Sequence, residues 1–263
     1  MYKCKLGMEL HKDLGLPYEN QISLLRETGF DGFFAYWEKG MDVADLAAAA
    51  RREGMIFQSL HAPGGPWARY LWYPCEETPT AMELFVSCLR DCAEQAVPIM
   101  VLHSFYGFDL HTPTPQGLEN FEKIVEQARR LGVKIAFENL EGEEYLAALL
   151  AHFRDETAVG FCWDSGHESC YSHRDLLSQP FHGEKLLATH LNDNLGARDF
   201  GGARTGAEME AQLETSLKNL KTDYIDIYQF HNAANPPVPG GEDGLYDAAM
   251  RAKAAGKIRD IGI

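Results

Sequence analysis

The chain has 263 residues, of which 45% are hydrophobic and 24% are charged, as is typical of soluble globular proteins and not of disordered ones. This length suits one α/β barrel, and we expect residues 1–263 to form a single domain. The net charge of −15 repels phosphodiester backbones, so nucleic acid is excluded as an expected partner.

The N-terminus and the cysteines predict a cytoplasmic protein without a membrane partner. The first residues, Met-Tyr-Lys-Cys-Lys-Leu-Gly, lack the apolar core and cleavage pattern of a secretion signal. No segment approaches the roughly 18 apolar residues that a membrane helix requires. The six cysteines form no Cys-x-x-Cys pair, and we interpret them as reduced thiols.

Short β-rich segments alternate with amphipathic helical segments along the chain. The strand candidates begin roughly every 31 residues, a spacing that fits repeated βα units. Eight such units predict a (β/α)8 TIM barrel, with a doubly wound open sheet as the alternative. The open sheet is disfavoured because no glycine-rich dinucleotide turn follows the first strand. The eight candidates are residues 5–9, 32–37, 55–61, 99–104, 134–139, 159–164, 186–190 and 224–230.

The helical segments have apolar residues at a spacing near 3.6, and two of them end on glycines that predict C-caps, Gly29 and Gly132. After a loop rich in proline and glycine and a last helix at 245–255, residues 257–263 have the pattern of a ninth strand. A closed eight-stranded barrel has no place for it. It is a terminal tail, or it pairs outside the barrel, or one of the other strands is wrong; an unpaired edge would also allow homodimerisation.

Five polar side chains end five successive predicted strands: His61, His103, Glu138, Asp164 and His190. In a barrel, functional groups lie at the C-terminal ends of the strands. Imidazole and carboxylate are the ligands that Zn²⁺, Mn²⁺, Fe²⁺ and Co²⁺ prefer. One histidine at a strand end is more often structural, but five such residues on successive strands favour a divalent-metal site.

Around four of these positions the sequence forms longer motifs: Ser59-Leu-His-Ala-Pro, Phe137-Glu-Asn-Leu, Trp163-Asp-Ser-Gly-His and His190-Leu-Asn-Asp-Asn. In order and spacing, these motifs resemble those of the xylose-isomerase-like barrels, the sugar phosphate isomerase/epimerase group. The resemblance covers residues 1 to about 202.

This resemblance implies a Zn²⁺, Mn²⁺, Mg²⁺ or Co²⁺ ion held by a Glu on strand five, an Asp on strand six, a His on strand seven and a Glu on strand eight. Glu138, Asp164 and His190 match the first three ligands. It also implies that Glu138 acts as the base that isomerises or epimerises a small sugar, free or phosphorylated. His167, from the Asp-x-x-His motif, would face the substrate or a further metal.

His61 and His103 are the other expected contacts of the substrate in this family pattern. Trp67, Trp72 and Tyr73 follow the third strand and offer an apolar wall for a sugar ring, or else they cover the mouth of the barrel. Related abasic-site endonucleases use similar histidines and a similar His-Leu-Asn-Asp motif. They add an Asp-x-His pair after strand seven, whereas residues 194–202 contain no histidine, and so this alternative is disfavoured.

The chain changes in character near residue 202, before which lie nine of its ten histidines and all six cysteines. From about residue 203, two segments resemble the aldo-keto reductases, one beginning Glu210-Ala-Gln-Leu-Glu-Thr-Ser-Leu and one beginning Ala252-Lys-Ala-Ala-Gly-Lys. His231 matches the catalytic His of that family. The remaining catalytic residues and the NADPH-binding part have no counterpart in this chain, so we expect neither reductase activity nor NADPH.

Together the two resemblances predict a chimaera, with seven isomerase-like units at 1–202 and a reductase-like last unit at 203–263. The eighth predicted strand ends in Gln229-Phe-His-Asn, which supplies no Glu. We therefore expect weak or absent metal binding and little or no isomerase activity. The alternative is an active metal-dependent isomerase or epimerase in which His231 replaces the lost ligand.

Overall fold

The computed structural model describes residues 5–110, 112–172, 174–180, 182–192, 203, 205–220, 222–229 and 237–262. Strands and helices alternate along these residues, as the sequence pattern predicts. The strands are β1 Gly7–Leu10, β2 Gly32–Tyr36, β3 Ile56–His61, β4 Ile99–His103, β5 Lys134–Glu138, β6 Val159–Asp164, β7 Leu186–His190, β8 Ile225–Gln229 and β9 Ile258–Gly262.

Helices follow most strands and connect them as parallel crossovers. Two short 3-10 turns, at Lys12–Leu14 and Gly183–Lys185, supplement them. The helices are α1 Tyr18–Glu27, α2 Val43–Glu53, α3 Trp67–Trp72, α4 Thr78–Glu94, α5 Pro115–Leu131, α6 Glu143–His152, α7 Ser165–Tyr171, α8 Gly206–Leu220 and α9 Leu245–Ala254.

Strands β1 to β7 form one sheet in sequence order, and the registers from β1 to β6 are parallel. This order of parallel strands with helical crossovers is the order found in TIM barrels, and it confirms an α/β, TIM-barrel-like fold. The seven strands place the ends of β3 to β7 along one edge of the sheet. Closure by an eighth strand stays a prediction.

The chain divides into two compact units, of which the first comprises residues 1–163 and 175–189. Its core is aromatic: the ring of Phe121 from α5 lies 5.1 Å from Trp72 and 5.6 Å from Phe137 of β5. Burying each such side chain contributes about 1.5–3 kcal/mol. Helix α5 begins at the N-cap Thr114, whose side chain accepts a hydrogen bond from Gly117 N.

The second unit comprises residues 164–174 and 190–263 and has a core of its own. Strand β9 pairs in parallel with β8, with Ile225 opposite Ile258, and α9 is the crossover between them. The predicted ninth strand therefore exists and pairs outside the seven-stranded sheet. Dimerisation through it stays a prediction, as does the single-domain arrangement. The apolar side chains that α8, α9 and the two strands bury include Met209, Leu213, Tyr228, Ala248, Ala249 and Ile258.

The segment after β3, for which the sequence pattern predicted no element, is the helix α3, in which Ala68, Leu71 and Trp72 are buried. Helix α1 ends at Glu27 with Thr28 as its C-cap, so Gly29, the predicted cap, lies one residue further along, with the expected positive φ of 94°. In contrast, Gly132 is the C-cap of α5 with φ 71°, as predicted.

The cysteines Cys75, Cys88, Cys92, Cys162 and Cys170 are free thiols. No helix among the described residues has the length and apolar character needed to cross a bilayer.

Candidate metal centre

Three side chains at the ends of β3, β4 and β5 converge in the first unit. His61 Nε2 lies 2.9 Å from Glu138 Oε2, and His103 Nε2 lies 3.2 Å from the same oxygen. The imidazole rings meet edge to face, with centroids 4.7 Å apart. The side chains of His61 and Glu138 are 0% and 1% exposed. Two nitrogens and one carboxylate oxygen therefore share a buried site.

The backbone fixes the tautomer of His61. Its Nδ1 lies 2.7 Å from Ala62 O, and a carbonyl oxygen only accepts hydrogen bonds, so Nδ1 carries a proton. The ring then points Nε2 at Glu138 Oε2, 2.9 Å away. A proton or a cation between these two atoms makes the contact favourable.

This arrangement suits a divalent cation. A histidine that donates through one ring nitrogen to a carbonyl holds its other nitrogen in one direction, here towards Glu138 Oε2. Each of His61 and His103 belongs with Glu138 to a group of side chains able to hold a metal ion.

Neighbouring groups hold these side chains in place. Tyr36, at the end of β2, stacks on His61 with ring centroids 4.3 Å apart and planes inclined by 22°. The strands β4 and β5 bring His103 and Glu138 into register, and Ser104 N donates to Glu138 O at 3.0 Å. Gly64 lies beside His103, where a Cβ would make an ordinary contact with Cε1 at 3.5 Å.

In the second unit, Asp164 ends β6 and is the N-cap of α7. Its Oδ1 accepts a hydrogen bond from His167 N at 2.7 Å. Asn192 Nδ2 donates to both carboxylate oxygens, at 3.0 Å and 2.9 Å. The ring of His167 lies beside the carboxylate, with Nδ1 3.8 Å from Asp164 Oδ1.

Three other predicted site residues are His190, Trp67 and His231. His190 ends β7, at the predicted position, and is buried. Trp67 begins α3 and is partly buried, edge-on to Tyr70 at 5.9 Å. His231 lies outside the described residues, so its role as a ligand stays a prediction.

Trp72 is not the apolar wall of a sugar site. It is fully buried, its Nε1 donates to Ser104 O at 2.8 Å, and its ring packs 5.0 Å from Tyr145. Tyr73 is held nearby, with its hydroxyl 2.9 Å from that of Tyr145. Trp72 therefore belongs to the core, on the inward face of α3, whereas Trp67 and Tyr73 are partly buried.

Sequence reasoning gave no role to Tyr36 or Asn192. Tyr36 directly follows an apolar strand, and Asn192 lies within the His-Leu-Asn-Asp motif, so both had a positional signal. Their partners were invisible because the stacking on His61 and the bonds to Asp164 join residues far apart in sequence.

Comparison with known families and structures agrees with this geometry. Residues 22–214 match the family model described as xylose isomerase-like TIM barrel. Residues 184–263 match the model of the aldo/keto reductase family, so the two matches overlap at 184–214. The uncharacterized protein y4fM of Sinorhizobium fredii (strain NBRC 101917 / NGR234) is 25% identical over 222 residues, covering 68% of this chain and 70% of that protein.

Solved structures show the same fold. The apo form of the Escherichia coli 3-keto-D-glucoside 4-epimerase YcjR has a TM-score of 0.61 and 15% identity, covering 96% of this chain and 100% of that one. The D-psicose 3-epimerase of Clostridium cellulolyticum H10, solved with D-tagatose, has a TM-score of 0.58 and 14% identity, and the match covers 79% of this chain and 81% of that one. The TTHB071 protein of Thermus thermophilus, soaked with ZnCl2, has a TM-score of 0.56 and 24% identity, and the match covers 82% of this chain and 96% of that one.

The family match spans most of the chain, and the buried His/Glu cluster stands at the strand ends of a barrel-like sheet. The chain therefore belongs to the xylose isomerase-like TIM barrel family, with an aldo/keto reductase match over its C-terminal part.

Proposed function

We propose that this chain derives from a divalent-metal-dependent sugar isomerase or epimerase, and that it binds metal weakly and has little or no activity of its own. The observation that carries the proposal is the buried carboxylate of Glu138 at the end of β5, on one oxygen of which His61 and His103 converge. The orientation of His61 supports it, because Nδ1 donates to Ala62 O and the other ring nitrogen faces the carboxylate.

The proposed ligands are Glu138, Asp164 and His190. They end three neighbouring strands of one sheet, β5, β6 and β7, and in barrels such ends lie on the functional face. The family pattern requires a fourth ligand from strand eight. The sequence at the predicted end of strand eight is Gln229-Phe-His-Asn, which contains no Glu, so the set is one ligand short. An incomplete set is the reason we expect a weak site.

The residues of the chain suggest how the parent reaction would proceed. A bound metal would supply a Lewis acid that polarises a carbonyl and the hydroxyl beside it. Glu138 is the carboxylate proposed to take the proton from the sugar carbon. His61 and His103 would orient that carboxylate and contact substrate oxygens, and His167 would face the sugar from α7. A second carboxylate base on strand eight is what this chain lacks.

A ketose is the substrate class that we propose for the parent enzyme. Similar structures are named for the epimerisation of D-psicose and of a 3-keto-D-glucoside, and one of them was solved with D-tagatose. Each of these sugars has a carbonyl next to a carbon that bears a hydroxyl. This is the chemistry that a buried carboxylate beside a divalent cation can use.

Restoring a carboxylate to strand eight tests the proposal. We expect Phe230→Glu or His231→Glu to raise the affinity for Mn²⁺ at least about tenfold, because a missing anionic ligand is replaced. Calorimetric titration with Mn²⁺ measures this, and Val238→Glu, on an exposed residue, is the matched control for added charge. The proposal fails if both variants lose affinity, since the strand-eight residues would then already complete a working site.

A further inference from the structure

Asn192 contacts the carboxylate of Asp164 in an unusually symmetrical way. Its Nδ2 lies 3.0 Å from Oδ1 and 2.9 Å from Oδ2, so one amide nitrogen sits astride both oxygens. An ionised carboxylate only accepts hydrogen bonds, and therefore the NH₂ group, not the amide oxygen, must face it. The orientation of the Asn192 side chain is thus fixed by chemistry.

The main chain of Asn192 is locked by the residue that follows Asp164. Asn192 N donates to Ser165 Oγ at 3.1 Å, and Ser165 Oγ is 2.8 Å from Asn192 O. Gly166 provides the space for the amide, since a Cβ at that position would lie 1.6 Å from Asn192 Oδ1. Three consecutive residues, Asp164, Ser165 and Gly166, are therefore shaped around Asn192.

Asn192 Oδ1 is buried and has no hydrogen-bond partner among the residues that the structure describes. A buried amide oxygen without a donor costs free energy, so such groups are uncommon and call for a reason. An apolar side chain would avoid the penalty, but it could not hold the carboxylate.

We propose that Asn192 is a positioning residue that holds Asp164 in one orientation as a metal ligand. This inference rests on the proposed function, in which Asp164 is a ligand. A neutral amide fixes the two oxygens without cancelling their negative charge, whereas a lysine or arginine would compete with the cation. Hydrogen-bonded partners of this kind behind ligands typically change metal affinity by about 10–100-fold when removed.

The test compares Asp164→Ala, Asn192→Ala and the double variant in the full chain, with Mn²⁺ as the probe. Calorimetry gives the affinity, and thermal unfolding with EDTA or with Mn²⁺ gives the stabilisation that metal adds. We expect Asn192→Ala to weaken Mn²⁺ binding about 10-fold or more. We also expect the double variant to bind no more weakly than Asp164→Ala, because the amide acts through that carboxylate.

Other outcomes overturn distinct claims. If Asp164→Ala leaves Mn²⁺ affinity unchanged, the proposed ligand set is wrong. If Asp164→Ala weakens binding but Asn192→Ala lowers only the melting temperature, equally with and without metal, the positioning role is wrong. Ser165→Ala, which keeps the amide but loosens its backbone, should give a smaller loss in the same direction if Asn192→Ala does not fold.

If the unaltered chain binds Mn²⁺ too weakly to titrate, a measurement without metal tests the positioning role of Asn192. Crystal structures without metal should show the Asp164 carboxylate rotated in Asn192→Ala relative to the unaltered protein. An unchanged carboxylate orientation would overturn the positioning role.

Discussion

At the scale of single residues, the candidate site depends on which atoms carry protons. Ala62 O places a proton on His61 Nδ1, and this orients the ring so that Nε2 faces Glu138 Oε2 at 2.9 Å. The identity of these residues was predictable, since each ends an apolar strand. The tautomer was not, because it depends on a carbonyl that only the folded backbone places 2.7 Å away.

Removing the charge of Glu138 tests this interpretation. We expect Glu138→Gln to lower Mn²⁺ affinity at least about tenfold, because an amide of nearly the same shape is a much poorer ligand for a hard cation. Glu94→Gln, at an exposed position on α4, is the control and should leave the affinity unchanged. Equal affinities of the two variants in calorimetric titration would show that Glu138 is not a ligand.

At the scale of secondary-structure elements, the strand ends were the most predictable feature. β6 and β7 have the predicted bounds, and β3, β4 and β5 end within one residue of them, because each apolar run stops at a polar side chain. Helix α3 was not foreseen, since six residues give too short a pattern to show a helical period. Its inward face, including Trp72, is determined by contacts with Phe121 of α5 and Tyr145 of α6.

Gly117 shows how closely α5 approaches α3. A Cβ on Gly117 would lie 2.1 Å from Trp72 Cε3. Alanine would gain about 1 kcal/mol of helix propensity, but overpacking typically costs about 1–3 kcal/mol and here meets a rigid buried ring. We expect Gly117→Ala to lower the free energy of unfolding, measured with urea. A stabilised variant, like that expected for exposed Gln116→Ala, would contradict the close packing.

His182 gives the fold a pH dependence. Burial lowers the pKa of His182 below its usual range, and its ring lies 5.5 Å from that of Phe161. The folded state therefore binds fewer protons than the unfolded state. The contribution of neutral His182 to the free energy of unfolding is complete above about pH 6.5 and is lost as the pH falls below that value. Urea unfolding between pH 5 and 8 should show this slope, and His182→Gln should reduce it. An unchanged slope in the variant would assign the effect to other groups.

At the scale of the whole molecule, the chain joins parts that match two families. Each compact unit has its own apolar core, and the reductase-like segment supplies β8, α9 and β9. A βα unit presents an apolar strand and an amphipathic helix whichever barrel it comes from, so exchange of a unit preserves packing more readily than chemistry. The sequence motifs revealed both parents, but the pairing of β9 with β8 required the structure.

The central claim is that the exchange of strand eight left a metal site without its fourth ligand. Calorimetric titration of the unaltered protein with Mn²⁺, beside Phe230→Glu and His231→Glu, tests this most directly. The account predicts weak or undetectable binding by the unaltered chain and tighter binding by at least one of the two variants. Stoichiometric, tight metal binding by the unaltered protein, together with turnover of D-psicose or D-tagatose, would contradict it.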